Sequence, residues 1–407
     1  MIKMKTALER FLEYVKFSTA SDENCEACPS SSGQLVLGEY LVKELNEASL
    51  LDAHMDENGY VYAFLPASFG READPAIGLI AHMDTSPDAS GENVSPRIIA
   101  YGGGDIKLEN GDVVRLEDYP FLKEYEGKEL IVTDGRTLLG SDDKAGVAEI
   151  IAACEYLAKN PELSHPAISV CFTPDEEIGR GADKFDLEKF GAEYAYTIDG
   201  GELGEIEYEN FNGASAQIKI KGLNIHPGSA KGRMKNAALM ACEYVNMLPA
   251  NETPATTEGY EGFYHVADIS GNETEANIFM IIRDHSREKF EARKQRVKDI
   301  AEYLNKVHGE GCFTACVQDS YYNMKEMILP HMHIVEKAQA AMKCCGVAPK
   351  IIAIRGGTDG ARLSYMGLPC PNLSTGGMNF HSTHEMIPVE ALQKMTEVII
   401  ALATAEK

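Results

Sequence analysis

Three short stretches of this chain place carboxylates and imidazoles where apolar runs end. The first is Ala81-His82-Met83-Asp84-Thr85, which closes the run 76–81. In extended backbone, residues two apart share a face, so Asp84 is placed to bond the ring nitrogen that His82 does not give to a metal. Such pairing fixes the tautomer and raises ligand basicity. The second stretch, Gly140-Ser141-Asp142-Asp143-Lys144, heads a helix-like segment, 144–160. Ser141, Asp142 and Asp143 stand where cap and first-turn residues belong, and capping explains one acid there more easily than two. The third, Thr173-Pro174-Asp175-Glu176-Glu177-Ile178-Gly179, follows the run 168–173 and sits between turn formers. Metal-assisted hydrolysis needs one carboxylate to hold a cation and another to take a proton from water. Neighbouring glutamates pointing different ways from a turn supply both. Asp199, after 194–198, and His381, in Asn379-Phe380-His381-Ser382-Thr383-His384-Glu385, complete the set. Singly, each has an ordinary structural explanation; jointly, at strand ends and turns, they indicate a metal-dependent hydrolase.

Open α/β sheets bind ligands beyond the carboxyl ends of their strands, and the surrounding pattern fits such a frame. The runs 76–81, 168–173 and 194–198 read as strands and 144–160 as a helix, which gives an α/β fold: a mostly parallel mixed sheet flanked by helices. After Phe211 the texture changes. Strands at 214–220, 262–269, 276–283 and 312–318, with helices at 236–247 and 287–307, make an inserted α+β domain of about a hundred residues. The expected division is 1–210 for the first part of a catalytic domain, 211–320 for the inserted lid and 321–407 for the second part. Leu8, Phe11, Leu12 and Val15 recur at helical spacing near the N-terminus, and an apolar helix at 389–405 is the last element.

Composition narrows the partners. The 407 residues hold 38 Lys plus Arg against 63 Asp plus Glu, a formal charge of -25, which repels phosphate backbones and anionic lipid alike. Nucleic acid and membrane are therefore not expected as partners. Glu9, Arg10, Glu13 and Lys16 interrupt any apolar run long enough for a signal peptide, so a cytoplasmic location is expected. In that compartment the ten cysteines read as reduced thiols, and Cys25-x-x-Cys28 lacks a second pair to complete a structural metal site.

Taken together, His82-x-Asp84, Gly-x-Asp142-Asp143-Lys, Glu176-Glu177, Asp199-Gly-Gly and His381-x-x-x-Glu385 resemble the co-catalytic zinc peptidases, the family of carboxypeptidases, dipeptidases and aminoacylases. Within it the stretches FTPDEEIG, ENFNGAS, EGYEGFYH and RGGTDGAR are similar to the tripeptide aminopeptidases. The resemblance implies two Zn2+ per subunit, one held by His82, Asp142 and Asp199, the other by Asp142, Glu177 and His381. It implies Glu176 as general base, Asp84 behind His82, and Asp143 in a turn like the family's strained peptide bond. From the lid, His226 resembles an oxyanion-stabilising histidine, one that acts across a homodimer in family members of this length. Arg283, and Arg355 with Gly356 and Gly357, suit the carboxylate and carbonyls of a short peptide. A dipeptidase or an N-acyl amino acid deacylase would carry the same metal motifs. A phosphate binder built on the Gly-rich loops would need a G-x-G-x-x-G or G-K-[ST] spacing that neither loop has.

Overall fold

The computed structural model describes residues 4–405. The chain divides into two compact units, 1–208 with 326–352 and 358–407, and 209–325 with 353–357. The second unit is thus wider than 211–320 and takes in a short return segment, 353–357, that sequence reading assigned to the catalytic part. The reason is local: Ile354 O accepts the Phe211 N–H and faces His285 Nε2, both in the second unit.

The first unit is built on an eight-stranded mixed sheet in the order Leu51–Met55, Val61–Leu65, Ile168–Thr173, Ile77–His82, Tyr194–Gly200, Asn372–Ser374, Glu205–Asn210, Lys350–Ile354. The four central strands run parallel, and the strands Val61–Leu65 and Glu205–Asn210 flank them antiparallel. Ile77–His82 and Ile168–Thr173 are buried at every position, as expected where helices cover both faces of a parallel sheet. That continuous apolar run is why the polar residues begin only where the strands stop.

Helices Ser141–Lys159, Ala7–Tyr14 and Val389–Thr404 pack on one another on this sheet. Gly146 lies where Ser141–Lys159 approaches the strand Tyr194–Gly200: an added Cβ would stand 2.0 Å from Ile198 O and 2.5 Å from Asp143 Oδ1. The first helix matches its reading at Phe11 and Val15, both buried, but not at Leu8 and Leu12. Its buried face is Ala7, Arg10, Phe11 and Tyr14, while Leu8 and Leu12 are half-buried.

The second unit is a four-stranded antiparallel sheet, Phe263–Gly271, Glu275–Asp284, Asn212–Lys221, Phe313–Tyr321, with helices Ala237–Asn246 and Arg287–His308 against it. Ile218, Ile220, Ile278, Met280, Tyr244 and Phe290 share its core. Where the chain enters and leaves, three asparagines lace the strands together. Asn323 Oδ1 accepts the Asn210 N–H, Asn212 Oδ1 accepts the Asn323 N–H, and Asn210 Oδ1 accepts the Met324 N–H. These amides satisfy backbone groups that no ladder reaches.

Candidate active site

Seven side chains converge beyond the carboxyl ends of the parallel strands in the first unit. His82 ends Ile77–His82, Asp199 is next to last in Tyr194–Gly200, and Glu176 and Glu177 open a single turn after Ile168–Thr173. His82 is buried, and its two ring nitrogens face only acceptors. Nδ1 lies 3.3 Å from Asp84 Oδ1 and 3.1 Å from Asp84 O; Nε2 lies 2.8 Å from Asp142 Oδ1 and 3.4 Å from Asp199 Oδ1. The Asp84 carboxylate is wholly buried and also accepts the backbone N–H groups of Glu176 and Glu177, both at 3.1 Å. One carboxylate therefore orients the histidine and the glutamate turn together.

His381 mirrors this arrangement. Its Nε2 stands 2.9 Å from Glu177 Oε2 and 3.3 Å from Asp142 Oδ2, and its Nδ1 stands 3.4 Å from Asp88 Oδ2. Asp142 thus turns one oxygen to His82 and the other to His381. Glu176 Oε1 accepts the Asp359 N–H at 3.2 Å.

Asp143 caps the helix that follows it, as its position suggested, whereas the Asp142 carboxylate is turned to His82 and His381. Gly140 is left-handed at φ 80°, the Asp142–Asp143 peptide bond is cis, and both aspartates lie outside helical φ/ψ. The amides of the turn 139–142 ahead of the helix are taken by Glu385, far along the chain. Asp143 Oδ2 accepts the His82 N–H at 3.0 Å and Oδ1 the Gly146 N–H at 3.2 Å, which makes it a support of the turn although it also lies close to His82 and Asp199.

A cation suits this donor set. A neutral imidazole with Nδ1–H donating to Asp84 offers only a lone pair at Nε2, yet that nitrogen faces two carboxylates; a metal ion between them resolves the conflict. Glu177 Oε1 is buried with no hydrogen-bond partner among the described residues. Bonds of 2.0–2.1 Å in a tetrahedral site put neighbouring ligand atoms about 3.4 Å apart, and the imidazole-to-carboxylate separations here are 2.8–3.4 Å. The electrostatics agree. Burial first, then the Asp142 charge, push Glu177 up to about 7, and burial pushes Asp199 up to about 6. Burial, followed by the Asp199 charge, raises Glu176 well above the carboxylate range. Positive charge would relieve this crowding of buried acids.

The lid candidates lie in the second unit. His226 is exposed, and its Nδ1 accepts the Gly228 N–H at 3.2 Å. Arg283 donates to Ala214 O and Ile282 O beside the Tyr321 ring. Arg355, the other arginine read as a substrate group, lies against a loop of the same unit. Nη1 and Nη2 donate to Gly259 O, Glu261 O and Thr257 O, with the guanidinium over Phe211 and Phe263, so it is occupied in holding the loop 257–261. Gly357 is small because the Tyr321 ring comes close: an added Cβ would meet Cε1 at 2.7 Å. Gly356 has no such neighbour.

Sequence reasoning missed four supporting acids. Asp88 backs His381, and Asp359 presents its N–H to Glu176 while accepting from Thr173 Oγ1. Asp175 accepts from Ser30 and Gln34 and so pins the glutamate turn to the N-terminal loop. Glu385 was seen only as a motif letter. Asp175 and Asp359 adjoin residues already singled out, which is the signal that was available.

The model of peptidase family M20/M25/M40 matches residues 111–405. Among curated relatives, a peptidase T of Caldanaerobacter subterraneus is 55% identical over 98% of both chains, and one of Parabacteroides distasonis is 52% identical over the same shares. Among solved structures, aminopeptidase PepT from Bacillus cereus superposes with a TM-score of 0.77 at 25% identity, covering 98% of this chain and 97% of that one. A Staphylococcus aureus tripeptidase gives the same TM-score at 22% identity, over 99% and 98% of the two chains.

Proposed function

The chain belongs to peptidase family M20/M25/M40, and from that membership we propose that it is a metal-dependent aminopeptidase that removes the N-terminal residue from short peptides, tripeptides first among them. The observation that carries the reading is the bridging posture of Asp142, with one oxygen toward His82 and the other toward His381. Nitrogen and carboxylate donors of this kind suit zinc. In this reading His82, Asp142 and Asp199 hold one Zn2+ and Asp142, Glu177 and His381 a second. Bound there, the two cations supply Lewis-acid activation of water and of the scissile carbonyl.

The chain's own residues do the rest. Glu176 takes the proton as the water oxygen bonds to the carbonyl carbon, then returns it to the leaving nitrogen as the C–N bond breaks. The Asp359 N–H holds one of its oxygens in place. Asp84 keeps Nε2 of His82 unprotonated and facing the ligands. The second unit serves as a lid, with His226 meeting charge on the carbonyl oxygen and Arg283 near the peptide's carboxylate; Gly356 and Gly357 shape the adjoining loop, and Arg355 steadies it. A homodimer formed through that unit belongs to the same reading, as does a cytoplasmic location; no helix among the described residues is long and apolar enough to cross a membrane.

Hydrolysis of a free tripeptide, its N-acetylated form and a dipeptide, with and without added zinc, tests the proposal. Only the free tripeptide should be cleaved well. A blocked peptide cut as fast as the free one would reassign the chain to deacylase chemistry.

A further inference from the structure

Glu385 carries an arrangement that the proposed chemistry has not used. Its side chain is buried, and its acceptor capacity is filled almost wholly by one turn. Oε2 accepts the N–H groups of Leu139 at 2.7 Å and Gly140 at 2.9 Å; Oε1 accepts those of Ser141 at 2.6 Å and Asp142 at 3.2 Å, with the Ser141 hydroxyl at 2.6 Å. These amides belong to the turn 139–142, which leads through the non-helical Asp142 and Asp143 into the regular helix, and their N–H groups have no ladder partner among the described residues, only this carboxylate. No Lys or Arg side chain among the described residues forms an ion pair with it, so the binding is turn to carboxylate.

The same side chain belongs to the loop that bears His381. Met378 and Met386 close that loop with paired backbone hydrogen bonds of 2.9 and 3.0 Å, and Ser382 Oγ and Asn379 Nδ2 bond within it. Asn379 and His381 hold left-handed backbone at φ 57° and 61°. The loop is thereby a closed unit with His381 at one corner and Glu385 at another. Fixing Glu385 on the amides of 139–142 fixes how far His381 stands from Asp142.

We propose that Glu385 is a positioning residue for the second cation site: it sets the His381 to Asp142 spacing and so controls how tightly that site holds its ion. The proposal rests on the two-cation reading above. The two sites differ in what backs them. His82 is a buried strand residue supported by a buried Asp84, whereas His381 is part-exposed, on a loop, and backed by the largely exposed Asp88. Loss of the tie should therefore be felt at the His381 site. Gln at 385 keeps the shape but offers one acceptor oxygen and an NH2 that opposes two of the amide donors.

The test titrates metal-free protein with Co2+, read by visible absorption and calorimetry. Wild type should take up two ions. Glu385→Gln should bind the first as wild type and the second about 10- to 100-fold more weakly, the usual effect of losing an outer-shell partner. Ser141→Ala, which removes one donor to Glu385 and leaves the charge, should shift the second step in the same direction by less. If Glu385→Gln does not fold, the Ser141 variant decides. Glu149→Gln, at a buried acid on the same helix with no hydrogen-bond partner among the described residues, should change neither step. Unaltered second-site binding in the Glu385 and Ser141 variants would overturn the proposal. So would equal weakening of both steps, which would mark Glu385 as a general support. Fewer than two ions on wild type would instead sink the two-cation reading.

Discussion

At the scale of single residues, the site separates groups that would hold cations from groups that aim them. Asp142 touches both histidines, so its removal uncouples two sites, while removal of His82 or His381 should empty one. Metal analysis of Asp142→Ala, His82→Ala and His381→Ala should accordingly show the largest loss for Asp142. Equal single-ion losses would remove the bridging role. Glu176 lies outside both ligand groups, and its backbone N–H and one oxygen are held by Asp84 and Asp359. Glu176→Gln should leave metal content near that of wild type and lower turnover by about 10²- to 10⁴-fold, the usual share of a placed acid-base. If that variant loses metal instead, Glu176 and Glu177 must exchange roles. His82, Glu176, Glu177 and Asp199 stood out in the sequence because they follow apolar strands together, and separate structural explanations fit that joint pattern poorly. Asp88, Asp359 and Glu385 did not, because each works through a backbone amide or another side chain, and neither leaves a periodic trace.

At the scale of elements, periodicity located the buried strands 77–82, 168–173 and 194–200 and the helices 141–159 and 287–308, since an apolar pattern is what drives their packing, and left the helix Ser32–Glu47 and the strand Val61–Leu65 unread. It misjudged part of the first helix for a physical reason. Arg10 is buried through charge: Nε meets Glu44 Oε2 at 3.0 Å, Nη2 meets Glu155 Oε2 at 2.6 Å, and Tyr14 donates to Glu44 at 2.9 Å. Counting only apolar residues rotates the helix toward Leu8 and Leu12. The network joins the helices Ala7–Tyr14, Ser32–Glu47 and Ser141–Lys159, and the last of these presents Asp142. Arg10→Ala would leave Glu44 with Lys5 and Glu155 with Lys159, so it should cost about 1.5–3 kcal/mol, the scale of lost hydrogen bonds between charged groups, measured by denaturant unfolding; a loss under about 0.5 kcal/mol would show that water replaces the guanidinium. The pH dependence has a definite sign. Burial pushes the Glu155 carboxyl up, but hydrogen bonds from Lys159 and Arg10 outweigh it and hold it below its ordinary value. Its contribution is therefore full above the unfolded value of roughly 4.3 and is lost as pH falls through the folded value. Arg10→Ala should flatten that acid limb.

At the scale of the whole molecule, the chain is two units with separate cores, and the ligand set lies wholly in the first while His226 lies in the second. The family resemblance assigns His226 to the carbonyl oxygen, a donor whose loss typically costs about 10²- to 10³-fold in rate while leaving the metals in place. Whether it serves its own chain or a partner is a question of assembly, and mixing variants answers it. Glu176→Gln protein lacks the base but keeps its histidine; His226→Ala protein lacks the histidine but keeps its base. If His226 acts across a dimer, one site of each mixed pair combines the intact base of the His226→Ala subunit with the intact histidine of the other. Activity should then reappear on mixing, to at most about half that of wild type in a fully mixed pair. If His226 acts within its own chain, every site in the mixture still lacks one group and nothing returns. Subunit exchange is checked by tagging one variant and recovering the other with it. No recovered activity after proven exchange, or a monomer in solution with full activity, would return His226 to its own site.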